Sequence, residues 1–360
     1  MRALYEQICY KLDDIDFGQL WQGFERTEFA LYDHEFVYLK DRIIKITNQF
    51  IGNTSIHFGG EQIAIWQVVE ADLACLDLLT ANIVHEMFHT YQIKAGETRF
   101  ISDLEGLAYP IDAKVMNMKK EAFMLLSKAC RETDRNKKYE ILKSFFSLRR
   151  YRFALLGTCA DYEKSIETVE GSAEYIGLMT LKKLNPLLYS ERLNIVLSKL
   201  ETLDQGFLDV RRIAYYSGMV LNIIADELGL EFKEPIKPNL SFICNLIDAQ
   251  VDSTIMASKW TSRDSRIDTL ISQREEMIRS EMNMVLNSSR CVEKSGQFKA
   301  KAYDPMNMKR LDRLVYHKHF LGVVDDNTIG DMVIIKGPIV AESDGKDFSS
   351  YHRLFYLEEE

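Results

Sequence analysis

Cysteine is sparse and scattered: Cys9, Cys75, Cys130, Cys159, Cys244 and Cys291 form no CxxC pair and no dense framework. That excludes a small disulfide-stapled secreted domain and leaves six thiols that read as reduced and mostly buried. Long apolar runs are missing as well. None reaches the roughly 18 residues of a membrane helix, and Glu6 and Lys11 interrupt the segment in which a signal peptide would keep its apolar stretch. The expected compartment is therefore the cytoplasm, with no membrane partner. Positive charge is in deficit, 45 Lys and Arg against 54 Asp and Glu, for a net charge of -9. Such a balance does not suit a life on phosphate backbones, so nucleic acid is not an expected partner. The local basic run Arg149-Arg150-Tyr151-Arg152 reads as a solvated helix face. No internal repeat and no low-complexity tract stands out.

What is present is ordinary for a globular protein: 46% hydrophobic and 28% charged residues over 360 positions, enough to bury a sizeable core. Residues 27–68 alternate short apolar and aromatic runs with turn residues, a period-two pattern that predicts an antiparallel meander ending in a hairpin at Gly59-Gly60. From about residue 72 the period becomes helical, with helices expected at 77–94, 112–131, 137–156, 163–183, 207–228 and 264–286. Pro110, Asn185-Pro186 and Gly229 fall where helices should start or stop, and Pro235 and Pro238 mark a further joint. Beyond Asn287-Ser288-Ser289 the composition shifts, and the segment 333–340 reads as two strands around Gly337-Pro338. The expectation is a mainly α-helical α+β fold. It comprises an N-terminal β-meander over 1–70, a helical core over 71–230, a helical segment over 231–290 and a small β-rich C-terminal unit over 291–360.

One segment carries chemistry. His85-Glu86-Met87-Phe88-His89 is an HExxH sequence set in an apolar helical stripe of Ile83, Val84, Met87, Phe88 and Tyr91. Histidines four apart project from one face of a helix, so both imidazoles reach a single metal ion at about 2.0–2.1 Å. The glutamate between them falls beside the metal, where it can take the proton of an attacking water. A hydrolytic zinc site uses three protein ligands and one open position, so a third His, Asp or Glu is expected on a nearby helix. Glu167, Glu170 and Glu174 stand at i, i+3 and i+7, with Gly171 and Ala173 keeping the flank small enough for a second helix to approach. Glu163 is a further alternative.

These residues resemble the gluzincin group of metallopeptidases, in which HExxH on one helix is completed by a Glu from a following helix. Glu170-Gly171-Ser172-Ala173-Glu174-Tyr175 is similar to the family's E-G-x-A-x-Y setting, and Glu170 with Glu174 to its E-x-x-x-D/E setting. The resemblance implies a zincin-like catalytic core and one Zn2+ per chain, held by His85, His89 and Glu170, with Glu86 as catalytic base. It implies that Glu174 hydrogen-bonds the far nitrogen of a ligand histidine and fixes its tautomer. Ala214-Tyr215-Tyr216-Ser217-Gly218 is similar to the family's Tyr-x-x-Gly stretch, which makes Tyr215 a donor to the oxyanion. The meander is similar to the family's small sheet, whose edge strand binds an extended substrate. Residues 62–66 fit that edge, with Ile63, Ala64 and Ile65 as substrate-binding residues. The likeness covers about residues 27–230. The gap between His89 and Glu170 is wider than in many members, and a helical pair over about 112–156 accounts for it. Helices placed there would cap or narrow the cleft.

The expected activity is hydrolysis of peptide bonds in a peptide or protein substrate. The alternative comes from a different class: a non-catalytic zinc-binding protein or degenerate protease that holds a peptide or protein partner in the same cleft. Glu86 separates the two, because a binding module has no need of a base beside the metal. Tyr215 and Tyr216 also suit core aromatics with a polar tip. His317 and His319 share one side of a strand but lack a carboxylate or cysteine at ligand spacing, so they read as surface histidines.

Overall fold

The computed structural model describes residues 1–252, 263–325 and 331–358. The chain opens with α1 (Arg2–Asp13) and the single turn α2 (Phe17–Leu20), which bury Tyr5, Ile8, Leu12 and Phe17. Five strands follow, β1 (Phe29–Tyr32), β2 (Phe36–Tyr38), β3 (Ile43–Lys45), β4 (Thr54–Phe58) and β5 (Glu61–Gln67), in the sheet order β3-β2-β1-β5-β4. The expected hairpin joins β4 to β5. Its turn residues Gly59 and Gly60 have φ of 61° and 90°, a conformation open to a residue without Cβ. The antiparallel meander needs one correction: β1 pairs with β5 in parallel. The chain leaves β1 on one side through β2 and β3 and returns on the other, so β5 becomes an interior strand and β4 an edge. Burial agrees, since all of β1 and the centre of β5 are enclosed.

The helical body comprises α3 (Leu76–Lys94), α4 (Ala113–Arg131), α5 (Arg135–Leu156), α6 (Cys159–Leu184), α7 (Pro186–Glu201) and α8 (Val210–Glu227), followed by the short α9 (Ile243–Asp248) and α10 (Ser265–Leu286). Most of these helices start where an acidic or amide side chain accepts a first-turn N–H: Asp112, Asp134, Asn185, Asp209 and Asp264. Asn185-Pro186 does more than stop α6. Asn185 caps α7 and Pro186 opens it, a helix whose weak apolar face, with Val196, Leu197 and Leu200 buried, left little periodicity to read.

The basic run on α5 is corrected as well. Arg149 and Arg152 are 3% and 1% exposed and lie against α6, where Arg149 donates to Glu167 at 3.0 Å and Arg152 to Glu163 at 2.9 Å. Two carboxylates 11 and 18 residues downstream supply the pairing that buried guanidinium groups require.

After α10 the chain forms β6 (Cys291–Tyr303), β7 (Met308–Leu311), β8 (Leu314–His317), β9 (Phe320–Asp325), β10 (Val333–Lys336), β11 (Ile339–Glu342) and β12 (Ser350–Leu357). They make one antiparallel sheet in the order β10-β9-β6-β12-β11-β8-β7. Ile278, Met282 and Val285 of α10 pack on Tyr316 and Val340. Leu104, from the 3-10 turn Asp103–Ala108, packs among Phe298, Val315 and Leu321. The sheet is thus fastened to the helical body through the segment that follows α3. β10 and β11 flank Gly337-Pro338 as expected but pair with other strands, not with each other. His317 is not a surface residue: it is 1% exposed, with Nε2 3.2 Å from the Tyr351 hydroxyl. His319 is exposed, 2.7 Å from Asp304. All six cysteines are free, and only Cys244 is fully buried, fewer than expected. No helix among the described residues is long and apolar enough to cross a membrane.

Candidate metal centre

Glycine sets the helix spacing on which the site depends. A Cβ on Gly177 of α6 would stand 3.2 Å from the Ala81 carbonyl oxygen and 3.4 Å from the His85 Cβ of α3. On the next helix face, a Cβ on Gly171 would stand 2.7 Å from Gly218 Cα of α8. At the Gly171–Gly218 crossing only hydrogen fits, and at Gly177 a side chain would have to push its neighbours by a few tenths of an ångström. The close approach gathers His85 and His89 from α3, Glu170 from α6 and Tyr215 from α8 around one point.

His89 Nε2 lies 3.1 Å from His85 Nε2 and 3.2 Å from Glu170 Oε2. One donor atom from each of the three residues falls within 4.8 Å of the others, the one such grouping found among the described residues. A tetrahedral ion with ligands at 2.0–2.1 Å sets its donors about 3.3 Å apart, so two imidazoles and a carboxylate at this spacing fit a metal ion. The electrostatics point the same way. Burial and the neighbouring His89 push His85 down to about 3. Burial also opposes charge on His89, but the Glu170 carboxylate outweighs it and lifts the imidazole to about 9. Glu170 resists the same burial through His89 and Arg211, which hold it down to about 2. The ionised Glu170 carboxylate thus favours positive charge beside it, which without a metal ion falls on His89 and keeps His85 neutral.

The ligands have supports that the sequence did not reveal as such. His89 Nδ1 is 2.7 Å from Gln92 Oε1, and the Gln92 amide donates to the Val169 carbonyl at 3.0 Å. Gln92 therefore ties the ring to α6, and its i+3 position from His89 was the available signal. Arg211 donates to Glu170 at 3.1 Å and to the Tyr215 hydroxyl at 3.0 Å, and pairs with Asp103. Its i+4 relation to Tyr215 was likewise in view. Glu174 departs from expectation: it lies on the Nδ1 side of His85 but at 3.9 Å, beyond hydrogen-bond length. Burial, aided by Glu170, raises its pKa. The rival ligands Glu163 and Glu167 are committed elsewhere. Besides their arginines, Glu163 accepts from the Tyr109 hydroxyl at 2.7 Å and Glu167 from Ser217 at 2.6 Å.

His85, Glu86, His89, Glu170, Glu174 and Tyr215 all border one open cleft of about 610 Å³. Glu86 is 8% exposed, and burial, then Glu170 and Glu174 against the opposing His89, raises its carboxyl to about 7. Thr54 and Ser55 of β4, Trp66, Arg192 of α7 and Pro305 are among the other residues of the walls. No residue of α4 or α5 lines this cleft. Of the inserted pair, α5 packs on α6 and α4 on α7 and α8, and α7 and the turn Pro305–Asn307 border the opening instead. Ile63, Ala64 and Ile65 do not form a substrate edge. They are 4%, 1% and 0% exposed, and β5 is paired on both sides. The parallel β1–β5 ladder took that edge, leaving β4 as the free strand beside the cleft.

Compared with known proteins, the chain matches no family model, no curated protein and no solved structure. What the structure supports is the grouping of His85, His89 and Glu170 as a possible metal site.

Proposed function

We propose that this chain is a zinc-dependent peptidase in which His85, His89 and Glu170 hold one Zn2+ and Glu86 is the general base. The observation that carries the reading is the convergence of three donor atoms in a cleft that also receives the buried Glu86 carboxylate. Two imidazoles and one carboxylate form the donor set of hydrolytic zinc sites. Zinc held there supplies Lewis acidity to the scissile carbonyl and to an attacking water. Glu86 takes the water proton and returns it to the leaving amine. The Tyr215 hydroxyl, held by Arg211, donates to the developing oxyanion. Gln92 fixes the His89 ring, and Arg211 fixes the Glu170 carboxylate. The free edge of β4 offers its backbone N–H and C=O groups to an extended peptide, which suits an open cleft better than a closed pocket would.

Elemental analysis and peptide-library cleavage by wild type, Glu86→Gln and His89→Ala test this reading. Zinc near one per chain in the first two but not the third, with cleavage by wild type alone, supports it. Zinc without cleavage by any form turns the reading toward a peptide-binding protein, and wild type without zinc ends it.

A further inference from the structure

A second cavity, of about 270 Å³, lies between the helical body and the C-terminal sheet. The turn Asp103–Ala108, the start of α8, one face of α10 and residues 305–312 enclose it. Arg211 and Pro305 border both this cavity and the metal cleft. Its volume lies near the lower end of ligand pockets, about 300–1,000 Å³, which limits an occupant to a small molecule.

The charges around this cavity are unequally satisfied. Arg211 is taken by Asp103 and Glu170, and Lys309 by both oxygens of Glu281 at 2.7 Å. Arg274 of α10 and Arg310 of β7 have neither an ion-pair nor a hydrogen-bond partner among the described residues. Arg310 instead lies over the Phe348 ring at 5.0 Å. The carboxylates that Arg274 senses are engaged: Asp209 caps α8 by accepting the Arg212 N–H at 3.0 Å, and Glu281 holds Lys309. Glu275 and Asp312 are exposed. Burial lowers the pKa of both Arg274 and Arg310, whereas Arg149, Arg152, Arg211 and Arg266 are driven up by their partners. Partial burial takes some water from each guanidinium group without supplying a counter-charge, which is unfavourable, and two such half-buried groups line one cavity.

We infer that this cavity binds a phosphate-class oxyanion between Arg274 and Arg310, either inorganic phosphate or the phosphoryl group of a small molecule. Guanidinium forks match the oxygens of such a group in bidentate fashion. The two residues come from elements of the helical body and of the sheet, so the anion bridges them at their joint.

Calorimetric titration of the full chain with inorganic phosphate, and separately with glycerol phosphate, tests the inference. Wild type, the exposed control Arg279→Gln and the metal-centre variant His89→Ala bind alike. Arg274→Gln and Arg310→Gln each bind about tenfold more weakly or worse. Tighter binding of the ester identifies a phosphorylated small molecule, and equal binding identifies phosphate itself. Without anion, Arg274→Gln melts at or above wild type, because an uncompensated charge is gone. Absence of binding to wild type at millimolar concentrations overturns the site, as does binding untouched by both substitutions or lost in His89→Ala. Arg274→Gln melting below wild type with no anion present overturns it too, since the arginine is then a structural anchor.

Discussion

Replacing Gly218 by alanine tests whether the helix crossing sets the metal-site geometry. The new Cβ would stand 2.5 Å from the Glu167 carbonyl oxygen and 2.8 Å from its Cα. Ordinary contact begins at 3.4 Å, and both obstacles are backbone, so α8 must retreat from α6 by about 1 Å. Overpacking of this kind costs about 1–3 kcal/mol. Alanine returns about 1 kcal/mol through its helix propensity, leaving a net loss of roughly 1 kcal/mol and at most about 2. The loss at the metal centre is larger in proportion. Arg211 and Tyr215 ride on α8 and hold Glu170, and disturbing such outer partners lowers metal affinity about 10- to 100-fold. Urea denaturation in the presence of a chelator reads the first effect, and competition with a chromophoric chelator reads the second. Wild-type stability together with wild-type zinc affinity in Gly218→Ala would refute the claim that the crossing has no slack.

Breaking one buried ion pair by Glu163→Gln should destabilise the chain by about 3–5 kcal/mol, because Arg152 then stays buried without its counter-charge; joint Arg152→Met and Glu163→Leu should recover most of that in urea melts. Gln92→Ala frees the His89 ring and should weaken zinc binding about 10- to 100-fold, measured by chelator competition. His317 yields a pH signature. Burial holds its folded pKa at about 4, below the unfolded value of about 6.5, so its stability contribution is complete above the unfolded pKa and is lost as pH falls toward the folded one. The loss reaches about 3 kcal/mol near pH 4. A His317→Gln variant should flatten that part of the stability profile, and an unchanged slope between pH 6.5 and 4 would show that another group titrates there.

Much of the helical body was legible because its apolar stripes are long and its caps are acidic or amide residues. Expected helices at 77–94 and 112–131 match α3 and α4 to within a residue at each end. The pairing of His85 with His89 was legible for a related reason, since an i, i+4 spacing translates directly into a shared helix face, whereas the choice of Glu170 to join them came from the resemblance and not from spacing. Strand order was not. The alternation in residues 62–66 gives a strand and a register but not its neighbours, and the parallel insertion of β1 beside β5 depends on contacts distant in sequence. The arginine run misled because its partners, Glu163 and Glu167, looked like ligand candidates. Two opposite charges on different helices carry no local pattern. Gln92 and Arg211 were visible as letters, but only the assembled helices give each its acceptor.

α6 behaves as a keyed shaft. Four carboxylates, Glu163, Glu167, Glu170 and Glu174, run along it; the first two engage α5 on its concealed side and the last two open onto the cleft. A slip of one residue would turn the shaft by about 100° and would unseat both arginines at the moment it misdirected Glu170. Buried ion pairs add little to net stability but can select one arrangement among near neighbours. The side of α6 that faces away from the cleft therefore sets the angular position of Glu170 beside His85 and His89, and a sequence can rebuild the walls of the cleft without disturbing that setting.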